Sequence, residues 1–249
     1  MKVSIITVVY NNELFIFDAI NSILSQSYFN IEHIIIDGCS TDKTLNIIKS
    51  FKSDNIRLVS EPDLGIYDAM NKGINIATGD IIGILNSDDF YANNNIIEKI
   101  VGKFLEDKNL MILYGNLIYV NRENTDKVVR TWISIDYFDN FFETGNVPPH
   151  PTLFLKKNVY NIAGNFDLNY KLAADYDFML RIFKFHNLKS LYINELFVVM
   201  RLGGASNKNL KNIIIGNLEI YRSWKKNNFN FPIFLMPLKF VKRLVQFFK

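Results

Sequence analysis

The sequence predicts an α/β fold: a mostly parallel central sheet with helices on both faces, followed by further helices at the C-terminal end. Three observations carry this expectation. Strand and helix signals alternate through the first ninety of 249 residues, the pattern of repeated β-α-β units. Each of the first four strands runs directly into polar residues, and in sheets of this kind ligands bind outside the carboxyl ends of the strands. With 49% hydrophobic and 21% charged residues, the chain can bury a substantial core, and the length fits one large domain or a domain with an appendage.

The elements follow in order. Val3–Val9 is a β-branched apolar run and reads as a buried strand. Residues 14–26 carry Ile16, Ile20, Ile23 and Leu24 at helical spacing. A second strand is expected over 32–36, and Ser40, Thr41 and Asp42 offer cap oxygens to a helix through Leu45, Ile48 and Phe51. Residues 56–59 form a third strand, 66–77 a third helix closed by Thr78-Gly79, and 81–85 a fourth strand. The second half is less regular. Strands are expected over 111–120 and 127–132, a loop over 143–151, a helix over 173–185 with Phe178, Ile182 and Phe185 on one face, and a strand over 197–200. Two final helices are expected, over 210–224 and 234–248.

Composition excludes several functions. A single cysteine, Cys39, rules out a disulfide framework and a thiolate zinc site. With three histidines, His33, His150 and His186, any metal should be a hard cation held by oxygens, Mg²⁺ or Mn²⁺. No glycine-rich nucleotide motif follows the first strand, and no G-x-x-x-x-G-K-[ST] occurs. No secretory signal and no run of the roughly 20 apolar residues needed to span a bilayer is present, so a cytoplasmic location is expected. The formal net charge is +3, but no acidic residue follows Glu219, while Arg222, Lys225, Lys226, Lys239, Lys242, Arg243 and Lys249 do. The body is therefore mildly acidic and the tail basic, an asymmetry that points to an anionic partner for the tail. Nucleic acid is not expected, because the body is acidic and lacks an aromatic-basic platform.

Four places could carry chemistry. Asn86-Ser87-Asp88-Asp89 emerges from the fourth strand; a carboxylate there can hold one face of a divalent ion and leave room for phosphate oxygens, or it can cap the helix near Asn95. Asp37 closes the second strand, beside Thr7 and Tyr10 at the end of the first. Its carboxylate suits the ring N–H of a base, and equally an Asx turn. Asp175-Tyr176-Asp177 opens a downstream helix, where an Asp serves as a general base or as a partner of the helix dipole. His150, between Pro149 and Pro151, lines an acceptor pocket or completes a turn.

Together these pieces resemble glycosyltransferase family 2, the inverting nucleotide-sugar enzymes of the GT-A fold, in the branch serving bacterial capsule, O-antigen and exopolysaccharide synthesis. The resemblance is carried by VSIITVVYNN from Val3, DGCSTDKT from Asp37, SEPDLGIYDAMNKG from Ser60, ATGD from Ala77, LNSDD from Leu85, ADYDFMLR from Ala174 and RLGGAS from Arg201. It covers residues 1–206, with 1–110 as the nucleotide-sugar half and 111–206 as the acceptor half; 207–249 would be a basic helical segment.

The resemblance implies an α/β GT-A sheet and a metal-dependent transfer of a hexosyl or N-acetylhexosaminyl group, with uracil the base by family tendency. Asp37, Thr7 and Tyr10 would contact the base, Asp88 the Mn²⁺ or Mg²⁺, and Asp175 the acceptor hydroxyl. Glu61 and Asn71 would shape the donor site, and His150 and Asp177 the acceptor side. Three positions depart from the pattern: Asn86 stands where the family often has a carboxylate near the ribose, Ala174 precedes the base where Glu is frequent, and Met70 replaces an Arg. Partners would be a nucleotide-sugar donor and a saccharide or lipid-linked acceptor. The apolar-basic tail suits the membrane interface, with a helix packed on the domain as the other reading. The non-enzymatic alternative is an inactive, membrane-associated nucleotide-sugar-binding module, and donor turnover separates the two.

Overall fold

The structure, a computed structural model, describes residues 1–203 and 210–247. The glycines, Ala205 and Ser206 at the end of the RLGGAS motif (Gly203 excepted), the 206/207 boundary, and Phe248 and Lys249 lie outside the described residues.

The first half follows the alternation. β1 (Val3–Val9), β2 (Ile31–Asp37), β3 (Ile56–Ser60) and β4 (Ile81–Ile84) are joined by α1 (Ile16–Leu24), α2 (Thr44–Ser50) and α3 (Ile66–Ile76). They pair in the order β3-β2-β1-β4, all parallel. All seven residues of β1 are buried, because helices cover both its faces. Ile6 and Val8 join one core cluster and Val3 and Ile5 another, the two-residue alternation of a strand. The buried polar members are satisfied: Thr7 is hydrogen-bonded to His33 Nε2 at 2.9 Å, and Ser4 Oγ accepts from the Gly79 amide at 2.8 Å. α3 lies so close to β1 that a Cβ on Gly73 would sit 2.4 Å from Ile6 Cγ2.

The second half extends the sheet with mixed polarity. β5 (Phe90–Tyr91), α4 (Ile96–Glu106), β6 (Ile112–Val120) and β7 (Val128–Trp132) come first, then β8 (Phe154–Lys156), α5 (Asn158–Ala163), α6 (Ala174–Met179) and β9 (Ser190–Arg201). β8 joins β4 to β6 through antiparallel pairs, and β6 and β9 run parallel. β5 and β7 are antiparallel edges on β9 and β6. The short β5, β8 and α5 carry no periodicity long enough to detect. β9 is far longer than the expected 197–200, because polar Asn194-Glu195 interrupts its apolar pattern at a register shift against β6. The expected helix over 173–185 is α6 followed by a π-helical turn, Leu180–Phe185.

α7 (Leu210–Lys226) and α8 (Leu235–Val245) close the described chain. Both pack on the body. Trp224 is 1% exposed and its indole donates to the Tyr176 hydroxyl at 2.9 Å, while Leu235 is fully buried. No helix among the described residues is long and apolar enough to cross a membrane.

Candidate active site

The strand register sets one rim of the site. Val9 pairs with Asp37, and Asp37 with Ser60, so three strands end in one row. Beyond it, Asn11 takes a left-handed φ of 48°, a conformation Asn tolerates better than most residues. Its side-chain Oδ1 accepts from the Thr41 amide at 2.8 Å, and its backbone amide donates to Ser40 Oγ at 2.8 Å. Asn12 donates through its backbone to Thr44 Oγ1 and through its side chain to Ser87 Oγ, both at 2.8 Å. Two asparagines thus tie the loops after β1, β2 and β4 into one edge.

Above this edge a cleft of about 940 Å³ opens between the halves, lined by Tyr10, Asn86, Asp88, His150, Asp175 and Lys239 among others. Its size suits a ligand of nucleotide-sugar dimensions. Tyr10 is 64% exposed, which leaves its ring available for a planar group.

The loop after β4 is held by its neighbours. Asp89 is fully buried and accepts from Asn86 Nδ2 at 2.8 Å and from the Arg201 amide at 3.2 Å. Burial, with Asp88 alongside, holds the Asp89 carboxyl well above the usual range. Arg201, at the end of β9, donates to the Asp88 carbonyl at 2.8 Å and pairs with Asp18 at 2.5 Å. So fastened, Asp88 turns its carboxylate to the cleft, where Arg122 stands at 3.6 Å. Burial raises the Asp88 carboxyl, and Arg122 and Arg201 oppose that shift.

The donor set bears on a metal. No group of three or more His, Cys, Asp or Glu side chains clusters for an ion among the described residues. Asp88 is a hard oxygen donor, with the Asn86 side chain on the same loop lining the same cleft. This fits a Mg²⁺- or Mn²⁺-type ion that completes its shell with phosphate oxygens and water rather than with a protein cage.

Across the cleft, Asp175 sits in the first turn of α6. Tyr67 of α3 donates its hydroxyl to Asp175 Oδ1 at 3.0 Å, and the Tyr176 amide donates to the same oxygen at 2.8 Å. Burial and the facing Asp175 charge keep the Tyr67 phenol protonated well above its ordinary range. The start of α6 is held by Glu219 of α7, whose carboxylate accepts from the amides of Lys171, Leu172 and Ala173 at 2.8–2.9 Å. His150, in the short turn His150–Thr152, packs edge-on to Phe166. Burial pushes its imidazole toward the neutral form, partly offset by Asp175. Lys239 of α8 points its ammonium at the Tyr176 ring, 4.8 Å from the centroid. Burial lowers it to about 8, with Asp175 opposing and Arg243 assisting.

Of the sequence-derived residues, Tyr10, Asn86, Asp88, His150 and Asp175 therefore meet at one cleft, and the others lie elsewhere. Asp177 is fully buried, paired with Arg181 at 2.9 Å and accepting from Ser223 Oγ at 2.9 Å and Asn227 Nδ2 at 3.1 Å; it ties α6 to α7 and is not among the residues lining the cleft. Thr7 is in the core with His33. Asn71 donates to the Phe166 carbonyl at 2.9 Å and accepts from its amide at 3.0 Å, which holds the 165–167 loop against α3. Glu61 is exposed and paired with Lys72 at 3.0 Å. Asp37 is buried, accepting from the Ser40 amide at 3.1 Å and Ser60 Oγ at 2.7 Å, which is the Asx-turn arrangement. Tyr67, Arg122, Glu219 and Lys239 were not singled out by the sequence. Tyr67 and Arg122 stand in conspicuous stretches, after Gly65 and at a polar turn, but nothing local marks them as facing Asp175 or Asp88.

The family model described as Glycosyl transferase family 2 matches residues 4–186. An uncharacterized glycosyltransferase of Haemophilus influenzae is 33% identical over 208 residues, covering 82% of this chain and 80% of its own. A PGL/p-HBAD biosynthesis glycosyltransferase of Mycobacterium bovis is 27% identical over 192 residues, 76% of this chain and 72% of that one. Among solved structures, S. aureus TarS 1-349 in complex with UDP-GlcNAc matches with a TM-score of 0.70 at 19% identity. That match covers 91% of this chain and 65% of the TarS chain, so the chain spans less than two thirds of that relative. A mannosyltransferase of Pyrobaculum calidifontis in complex with GDP-Man and Mn²⁺ matches with a TM-score of 0.63 at 16% identity, over 97% of this chain and 73% of that one. These likenesses establish a shared GT-A fold, and the match over residues 4–186 establishes the lineage: the chain belongs to glycosyltransferase family 2.

Proposed function

We propose that the protein is an inverting glycosyltransferase that moves a sugar from a nucleoside-diphosphate sugar to a hydroxyl of a saccharide or lipid-linked acceptor in bacterial surface polysaccharide synthesis. The observation that carries this reading is the placement of two carboxylates, Asp88 and Asp175, on opposite halves of one cleft. The neighbours bound to UDP-GlcNAc and GDP-Man support a nucleotide-sugar donor, and the UDP complexes of TarS favour uracil.

In this mechanism the acceptor hydroxyl gives its proton to Asp175. The hydroxyl oxygen then bonds to the anomeric carbon on the face opposite the diphosphate, the bond from that carbon to the diphosphate oxygen breaks, and the electron pair leaves with the nucleotide. One displacement inverts the configuration. Tyr67 and the Tyr176 amide, both on Oδ1, leave Oδ2 to take the proton. Asp88, with Asn86 beside it, would hold a divalent ion, which when bound would supply charge stabilisation to the departing diphosphate. His150, whose burial favours the neutral imidazole, adds no positive charge beside Asp175.

Calorimetric titration with UDP, GDP and dTDP, with and without Mn²⁺, tests the reading, with Asp88→Ala as the control. Metal-dependent, base-selective binding that Asp88→Ala abolishes is expected. No binding of any of the three by folded protein would leave the inactive-module reading instead.

We further propose that the protein works at the cytoplasmic face of the membrane. Ile233 is 85% and Phe234 72% exposed at the start of α8, and such side chains suit the acyl boundary of an anionic bilayer. In co-sedimentation with vesicles containing phosphatidylglycerol, wild type should pellet and Ile233→Ser/Phe234→Ser should stay in solution; equal pelleting would remove the membrane role.

A further inference from the structure

The cleft as a whole carries a surplus of positive charge. Among the described residues its lining includes two carboxylates, Asp88 and Asp175, and six cations, Arg122, Arg130, Lys171, Lys239, Lys242 and Arg243. Arg122 faces Asp88. Three of the others come from α8, on the side of Asp175, and the helix is seated by close contact. Gly145, at a φ of 78°, lies so near it that an added Cβ would sit 2.9 Å from the Lys239 backbone nitrogen, and Lys242 donates to Asn146 Oδ1. Lys239 and Lys242 are thus half-buried against the body while Phe240, Val241 and Leu244 of the same helix are exposed, although apolar residues ordinarily take the covered face of a surface helix.

Two of these cations, Lys239 half-buried and Arg130 buried with a hydrogen bond to Tyr119, have no carboxylate partner among the described residues, where a withdrawn charge is normally paired. Lys239 has no carboxylate within ion-pair distance among the described residues, and its ammonium rests on the Tyr176 ring. Arg130 is 6% exposed, stacks its guanidinium 3.7 Å from the Tyr119 centroid, and its Nε finds no hydrogen-bond partner among the described residues. A phosphate group answers both needs, since it takes ammonium and guanidinium donors at once.

We propose that Lys239, Lys242 and Arg130 form a binding site for a phosphate carried by the acceptor, separate from the donor's diphosphate. This rests on the glycosyltransferase reading, because that reading puts the attacking hydroxyl at Asp175, beside Lys239. The enzyme would then select acceptors with a phosphate ester near the hydroxyl to be glycosylated. The same cations could instead serve the donor's own diphosphate, and the experiment separates the two sources.

The probe is phenyl phosphate, titrated into free protein and into protein saturated with its nucleoside diphosphate and Mn²⁺. Binding to both forms is expected, about tenfold weaker in Lys239→Met and in Lys242→Gln, with nucleotide affinity and the circular dichroism spectrum unchanged. Leu244→Ser, on the exposed face of the same helix, should bind as wild type. Loss of phenyl phosphate binding on nucleotide saturation would assign the cations to the donor and overturn the proposal. So would the absence of binding to wild type, or equal binding by both charge variants. If no nucleotide binds, the transferase reading falls, while the response of the free protein to Lys239→Met still decides whether the phosphate site exists.

Discussion

Along residues 1–91 the polar groups on one rim of the cleft are supplied by strand ends: Tyr10 after β1, Asn86 and Asp88 after β4, in register because the strands are parallel, with Tyr67 of α3 the helix-borne exception. In the second half they are supplied by packing. Asp175 is placed by Glu219 on α7 and by Tyr67 on α3, and Lys239 enters from α8. A strand end is a local property, so residues there can be found by reading along the chain. A packed helix terminus depends on a partner 46 positions away, as Ala173 does on Glu219, and no local pattern encodes it. The strand-end rim is therefore expected to tolerate change in the helices better than the Asp175 side does.

Three substitutions break or sharpen that contrast. The largest effect is expected from Asp175→Asn, which removes the proton acceptor and leaves the fold. Turnover should fall by about 10²–10⁴ with nucleotide binding intact, measured by product formation and by the same calorimetry. Near-normal turnover would remove Asp175 from the mechanism. Next is Glu219→Ala, which strips the acceptor from three amides at the start of α6. A cost of about 3 kcal/mol is expected, read as a thermal midpoint lowered by about 8 °C, with turnover reduced more than donor affinity. Equal losses on the two sides would erase the distinction between the halves. The smallest is Tyr67→Phe, which removes one hydrogen bond to Asp175 Oδ1. A roughly fivefold drop in kcat with the donor KM unchanged is expected; a raised donor KM alone would move Tyr67 to the donor side.

The same contrast governs what the sequence could reveal. The alternation in residues 1–91, the parallel pairing and the polar strand ends were legible because each rests on local periodicity. Asp88 and Asp175 were legible as acidic groups at element ends and through the family motifs. Asp175 was set apart as the base and Asp177 placed on the acceptor side only through the family motif, since two acids two positions apart in one helical turn differ locally only in which side they face: one meets Arg181 and α7, the other the cleft. Asp37 and Thr7 were rightly put at or near strand ends, but whether such a side chain faces a ligand or a neighbouring turn depends on Ser40, Ser60 and His33. The basic tail was read by its charge, and the charge is real. That α8 turns Lys239 and Lys242 inward follows from its contacts with Gly145 and Asn146, nearly a hundred residues upstream.

Arg201 gives the molecule an order of assembly. Its amide and guanidinium hold Asp89 and the Asp88 carbonyl, and it reaches Asp18 across 183 positions. A chain emerging from the ribosome completes β1 to β4 early, with the Asp88 loop tied through Ser87 to Asn12, yet that loop lacks its Arg201 clamp until β9 has been made and inserted beside β6. Such distant contacts slow folding and leave the nascent first half with an unfinished edge and a loop held at one point. Cutting the gene after the first half is therefore expected to leave the Asp88 carboxylate out of place, so that this edge of the cleft is completed only with β9.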